Sequence, residues 1–196
     1  MQIIVVGGGK VGYYLSKTLL EHGHRPHIIE KDRALCTRIA DDLDVAVICG
    51  DGSTLDVLES AGAKDADALI AVTGRDQDNL VACQLAKQLF HIQRTVARIN
   101  NPKNAAVMKQ LGVDIPISAT DNIARLLERE VDAAAIRQLM PLNRGEASLS
   151  ELQIPPDYRR SGARLSELDL PEESVVVSIS REGRLIIPRG NAQVLS

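Results

Sequence analysis

Short apolar runs alternate with amphipathic stretches through the first 118 residues. The runs fall at 2–6 (QIIVV), 26–30 (PHIIE), 45–49 (VAVIC), 67–72 (DALIAV), 94–99 (RTVARI) and 115–117 (IPI). Most are continuous in hydrophobicity rather than alternating, the pattern of parallel strands covered on both faces. Between them the spacing predicts helices near 10–22, 33–42, 54–61, 77–89 and 102–111. Gly23, Gly62 and Gly112 each follow a helical run, where a left-handed residue closes a C-terminus. Asp32, Ser53 and Asp76 are candidate N-caps, and Asn101-Pro102 sets a cap before a proline at the first helical position. Strands alternating with helices in this way predict an α/β fold, a doubly wound parallel sheet of six strands of the Rossmann type.

A different pattern begins at Thr120. In TDNIARLLEREVDAAAIRQLM, Leu127, Val131, Ala135 and Leu139 form an i, i+4 ridge flanked by Ile123, Leu126, Ile136 and Met140. This predicts one long helix, about 30 Å from end to end. Its apolar face needs cover, either from its own sheet or from another surface. From Asn143 the composition changes again. Pro155-Pro156 and Ser161-Gly162 interrupt the chain, and ESVVVSISREGRLIIP reads as two strands around Glu182-Gly183. Gly190-Asn191 turns, and Gln193-Val194-Leu195 begins a further strand. The expected organisation is a nucleotide-binding domain over 1–118, a crossover helix over 119–142 and a small, truncated α+β lobe over 143–196, too short for an independent core.

Composition narrows the function classes. Net charge is −3, with no block of like charges, and aromatics are 2% of residues. Neither a nucleic-acid stripe nor a base-stacking surface is expected. There is no apolar stretch of membrane-spanning length and no leader-like N-terminus, so a cytoplasmic location is expected. Cys36, Cys49 and Cys83 lack metal-ligand spacing and are expected to be reduced core thiols. The HGHRPH stretch holding His22, His24 and His27 is read as a solvent-facing turn, because its spacing spans a helix end, a turn and a strand start.

The chemistry lies at the front. VVGGGKVGYYL carries Gly7-x-Gly9-x-x-Gly12 directly after a strand and at the opening of a helix. Gly7 permits the tight turn, Gly9 lets backbone approach a pyrophosphate, and Gly12 lets helix and strand pack closely. The helix N-terminus then offers free N–H groups to the phosphates. Glu30, at the end of the second strand, is placed to accept hydrogen bonds from ribose hydroxyls. Its charge disfavours a 2′-phosphate, although Lys31 and Arg33 leave room for one. Asp51 and Gly52, after the third strand, are expected at the adenosine edge, with Thr73 and Gly74 near the phosphate path. Arg98 points either at phosphate or into a structural ion pair.

These residues resemble those of the TrkA-N/KTN family, also called RCK domains. The matching words are IIVVGGGKVGYYLSKTL, ICGDGSTLDVLESAGAKDADALIAVTGRDQDNLVACQLAK, TVARINNP and LGVDIPIS, together covering 1–118. The tail GARLSELDLPEESVVVSISREGRLIIPRGNAQVL resembles the start of that family's C-terminal ligand lobe. The resemblance implies a cytoplasmic gating subunit, peripheral on the inner membrane face, that binds NAD(H) or ATP/ADP and is not an enzyme. It implies a potassium-translocating membrane partner of the TrkH/KtrB type, and a homodimer, joined through the crossover helix, assembling into a larger ring. Gly7, Gly8, Gly9, Lys10, Val11, Glu30, Thr73, Gly74 and Arg98 occupy the matching nucleotide positions. Lys10 stands where relatives often carry Arg or Gln, which leaves NAD against ATP open.

Two other functions compete. A small NAD-dependent oxidoreductase would need an acid/base residue near the nicotinamide. After residue 118 there is no histidine, and Tyr158 is the one tyrosine. A nucleotide-binding protein unrelated to transport also remains, since fold alone does not fix function.

Overall fold

The computed structural model describes residues 1–131, 136–142 and 146–194. The chain divides into two units, Met1–Leu126 and Leu127–Ser196.

The first unit is built on six strands: β1 (Gln2–Val6), β2 (Arg25–Glu30), β3 (Ala46–Cys49), β4 (Ala68–Ala71), β5 (Arg94–Ile99) and β6 (Ile115–Ser118). They pair in the order β3-β2-β1-β4-β5-β6, all parallel. The crossover segments carry α1 (Lys10–Glu21), α2 (Arg33–Asp42), α3 (Leu55–Ser60), α4 (Asp76–Gln88) and α5 (Ala105–Gln110), the last entered through a short 3-10 turn at Pro102–Asn104.

The continuous apolar runs now have a physical account. Along β1, Ile4 and Val6 pack into one core cluster with Ile29, Leu69 and Ile99. Ile3 and Val5 turn to the opposite face with Ile28 and Ile39. Side chains on a strand alternate between faces. A strand covered by helices on both sides therefore has apolar residues at every position.

Helix ends follow their predicted chemistry in most places. Gly23, Gly62 and Gly112 take positive φ of 74°, 81° and 99°. The Asp32 carboxylate caps α2 by accepting from the amides of Ala34 and Leu35, and Asn101 accepts from Lys103 ahead of its proline. Two expected caps are corrected. Ser53 does not cap α3, whose N-cap is Thr54; its hydroxyl donates to Asp51 instead. Asp76 is the first residue of α4 rather than its cap. Its carboxylate accepts from Asn100 N and Nδ2, Asn101 N and Asn104 Nδ2, at 2.7–3.1 Å. Four donors outcompete its own helix. Burial raises the pKa of this carboxyl, but those hydrogen bonds outweigh it and hold the group below the usual carboxylate range.

The long helix is shorter than its pattern. α6 runs Ala119–Val131, and the segment after it includes the strand β7 (Ile136–Leu142), antiparallel to β8 (Ala147–Leu152). Pro141 falls within β7, and proline and the residue before it favour extended backbone. Ala135, one position of the predicted ridge, lies outside the described residues.

In the second unit, β9 (Ile179–Arg181) and β10 (Arg184–Ile186) form the hairpin expected around Glu182-Gly183. Both turn residues have positive φ, 47° and 75°. The strands are shorter than predicted, and Val175–Val177 lie outside them. Gln193 makes an isolated antiparallel bridge with Arg164 rather than a full strand, and Leu195 lies outside the described residues. Val194 is the one buried apolar residue among the described residues of this unit, as its small size leads one to expect.

Candidate nucleotide site

β1 and β4 are neighbours in the sheet, yet their following helices leave in opposite directions along it. In such sheets a crevice opens at the carboxyl ends of the strands where the order reverses. Here that crevice is a cleft of about 410 Å³, walled by the loops after β1, β2, β3 and β4 and by Arg98 of β5.

The loop after β1 is locked in place. Gly7 donates its amide to Ile29 O at 2.8 Å and holds φ at 105°, a conformation open to glycine. A Cβ at Gly12 would lie 1.8 Å from the Gly7 carbonyl oxygen, so the helix could not approach the strand with any side chain there. Gly9 is the N-cap of α1, and no protein atom lies within 4 Å of where its Cβ would stand. Its backbone faces open space in the cleft wall.

Glu30 ends β2 as a hub for backbone amides. Its carboxylate accepts from Gly8 N at 2.6 Å, Lys31 N at 2.7 Å and Asp32 N at 2.9 Å. The side chain thus fixes the glycine loop as well as lining the cleft. Lys31 does not offer a free cation. Its ammonium pairs with Asp51 at 2.9 Å and Asp78 at 3.1 Å. The hydrogen bond to Asp51 is the main cause of its raised pKa. Burial alone would push the Asp51 carboxyl up, but the Ser53 hydroxyl, Lys31 and the Ser53 amide hold it down at about 2. Both groups therefore keep their charges through the neutral range.

Arg98 stands apart. Among the described residues it pairs with no carboxylate, and its Nε is buried without a hydrogen-bond partner. A buried guanidinium N–H left unpaired is costly. Its place in the cleft wall suits an anion.

Of the thirteen residues expected at the site, Gly7, Gly9, Lys10, Val11, Glu30, Lys31, Asp51, Gly52, Thr73, Gly74 and Arg98 line the cleft. Gly8 and Gly12 stand behind its wall, Gly8 against Ile39 and Glu30 and Gly12 against Gly7. Asp78 and Arg75 also line it and were not anticipated. Nor was Asn79, fully buried in α4. It accepts from Thr73 N at 2.9 Å and donates to Arg98 O at 2.9 Å, tying the loop after β4 to β5. His27 turns inward, its Nδ1 lying 2.9 Å from Ala61 O. No cluster of metal-binding type occurs among the described residues.

The family follows from comparison with known sequences. The model of the TrkA-N domain matches residues 3–119. The chain belongs to the TrkA-N family. The TrkA homolog of Methanothermobacter thermautotrophicus, a Trk system potassium uptake protein, is 33% identical over 189 residues, covering 96% of this chain and 87% of its own length. The TrkA of Mycobacterium tuberculosis is 33% identical over 198 residues, covering 97% and 87%. Among solved structures, the GsuK channel bound to NAD superimposes with a TM-score of 0.70 at 16% identity, covering 99% of this TrkA-N chain and 35% of the channel chain. That likeness concerns the fold. The AMP-bound Kef C-terminal domain of Shewanella denitrificans has a TM-score of 0.60 at 27% identity, over 66% of this chain and 79% of that one.

Proposed function

We propose that this TrkA-N chain is a regulatory subunit of a potassium uptake system on the cytoplasmic face of the membrane. It senses NAD(H) or ATP/ADP in the β1–β4 cleft without chemical turnover. The observation that carries the reading is Arg98, whose buried Nε has no partner among the described residues and which lines the same cleft as the fixed glycine loop. The α1 N-terminus and Lys10 supply donors and positive charge for phosphates, while Glu30 faces the ribose end. The carboxylates of the lining are engaged, Glu30 by three backbone amides and Asp51 and Asp78 by Lys31, which supports sensing over hydride transfer. The names and nucleotides carried by related proteins, NAD in the GsuK channel and AMP in the Kef domain, point the same way.

Calorimetry on the full chain tests the site. NAD and ATP should bind, and Arg98→Ala should weaken them about ten- to a hundred-fold, as expected for a lost charge-assisted hydrogen bond of roughly 1.5–3 kcal/mol. NADP should bind more weakly than NAD, because Lys31 is held by two carboxylates. Unchanged affinity in Arg98→Ala would remove the assignment. Potassium flux through a reconstituted membrane subunit tests the role. Flux indifferent to nucleotide, or NADH consumed in step with a substrate, would overturn it.

The reading includes a homodimer. Ile123, Leu126 and Leu127 of α6 are 57%, 56% and 61% exposed, with i, i+3 and i, i+4 spacing on one stripe. Covering such side chains is worth roughly 1.5–3 kcal/mol each when burial is complete. A second copy of the stripe is the proposed cover. Ile123→Asp with Leu127→Asp should sediment as a smaller species than the parent. A parent already monomeric at micromolar concentration would refute the dimer.

A further inference from the structure

Two cysteines flank Glu30 at the end of β2. Cys36, in the first turn of α2, is buried, and its Sγ donates to the carbonyl oxygen of Glu30 at 3.3 Å. Cys49 ends β3, in register beside Glu30. Gly50, the next residue, donates its amide to that same carbonyl at 2.8 Å. Cys36 and Cys49 therefore flank the same residue, and alternation along β3 sets Cys49 on the face of Val47, the face that α2 covers through Ile39. The expectation of three core thiols is corrected here, since Cys49 is exposed. It is the last residue of an edge strand, where cover runs out. Cys83 is buried elsewhere, its Sγ toward Val96 O.

We propose that Cys36 and Cys49 are an oxidisable pair, which a peroxide converts into a disulfide that weakens nucleotide binding. The second half rests on the nucleotide reading above. The exposed Cys49 reacts first. Its thiolate attacks one oxygen of hydrogen peroxide and the O–O bond breaks. The departing hydroxide, joined by the proton released from the thiol, becomes water, and Cys49 becomes a sulfenic acid. The Cys36 sulfur then attacks the Cys49 sulfur and the S–O bond breaks. The hydroxyl leaves with the Cys36 proton as a second water. Two thiols are oxidised to one disulfide, and one peroxide is reduced to two waters.

The environments divide these roles. Burial, the Cys49 thiol and the Glu30 and Asp32 carboxylates push the Cys36 thiol up to about 12. It stays protonated at neutral pH and is a poor first nucleophile. Beside an electrophilic sulfenic sulfur it becomes the resolving thiol.

The bond would be felt at the cleft. A disulfide draws its sulfurs to about 2.05 Å and removes the S–H donor from the Glu30 carbonyl. The start of α2 and the end of β3 would close on Glu30 from two sides. The Glu30 carboxylate holds Gly8, and Gly50 to Ser53 line the cleft.

The experiment treats the full chain with stoichiometric hydrogen peroxide, reads intact mass and peptide map, then titrates NAD by calorimetry before and after reduction. The expected mass falls by two hydrogens, with a Cys36–Cys49 cross-linked peptide. Cys83→Ala should behave like the parent, while Cys36→Ser and Cys49→Ser should form no such bond. NAD affinity should fall about ten-fold on oxidation and return on reduction in the parent alone. Cys49 passing to sulfinic acid while Cys36 stays free would overturn the pairing. A disulfide without any change in affinity would overturn its link to the site. If the reduced chain binds no nucleotide, that link and the nucleotide reading fall together, whereas the pairing is judged by mass alone.

Discussion

Gly12→Ala is expected to destabilise the first unit by about 3 kcal/mol or more, the upper range for forcing atoms into a packed core. The melting temperature should fall by roughly 10 °C. The added Cβ would sit 1.8 Å from Gly7 O and 3.0 Å from Gly7 C. Neither is the end of a flexible side chain. Gly7 is pinned by its own amide bond to Ile29 and by Thr73, whose backbone lies 3.1 Å from where a Gly7 Cβ would stand. The strain has nowhere to go except into moving α1 off β1. Gly9→Ala is the control, because it separates the two roles of the motif. Its φ of −59° suits alanine, and nothing lies within 4 Å of the new methyl. Its melting temperature should match the parent, while NAD affinity falls at least ten-fold because the methyl occupies the phosphates' approach. Thermal melts and calorimetry on both variants decide the matter. A Gly12→Ala chain as stable as the parent would contradict the packing described. A Gly9→Ala chain with parental affinity would place the phosphates elsewhere.

The sheet was legible because its rules are local. Parallel strands covered on both faces leave unbroken apolar runs, and the glycine spacing encodes a turn and a close approach within six residues. The cap at Asp32 was legible for the same reason. Asp76 was not, since four donors from the loop after β5 compete with its own helix and win. Glu30 was half legible. Its position announces a ribose acceptor, but its hold on the Gly8 amide depends on β1 and β2 lying side by side. Lys31 looked available for a 2′-phosphate until the folds after β3 and within α4 brought Asp51 and Asp78 to it. Beyond Thr120 the helical periodicity extended past the helix itself, because a spacing of four cannot register the antiparallel partner β8 that pairs with Ile136–Leu142.

Asn79 was hidden in the sequence as an ordinary polar residue of a helix, and its replacement carries the other large effect. The side chain is fully buried. Its Oδ1 accepts from Thr73 N at 2.9 Å and lies 2.7 Å from Thr73 Oγ1. Its Nδ2 donates to Arg98 O at 2.9 Å and Thr73 O at 3.3 Å. Asn79→Ala strands these groups and opens a void, so a loss of about 3 kcal/mol is expected. Nucleotide affinity should fall with it, since Thr73 and Gly74 would lose the tie to β5 that sets them in the cleft. Asn79→Asp keeps the shape but exchanges the donor for a second acceptor facing two carbonyl oxygens. A buried carboxylate so placed has its pKa raised by burial and by those dipoles. Between the unfolded and folded pKa values the native state then binds more protons than the unfolded one. Stability therefore falls as pH rises through that window. The Asn79→Asp chain should be markedly weaker than the parent at pH 8 and recover part of the difference at pH 5. Asn79→Ala should show a deficit independent of pH across the same range. Urea unfolding of the three chains at both pH values reads this directly. An Asn79→Asp deficit that stays constant, or grows toward pH 5, would mean that the amide nitrogen is not the group holding the loop to β5.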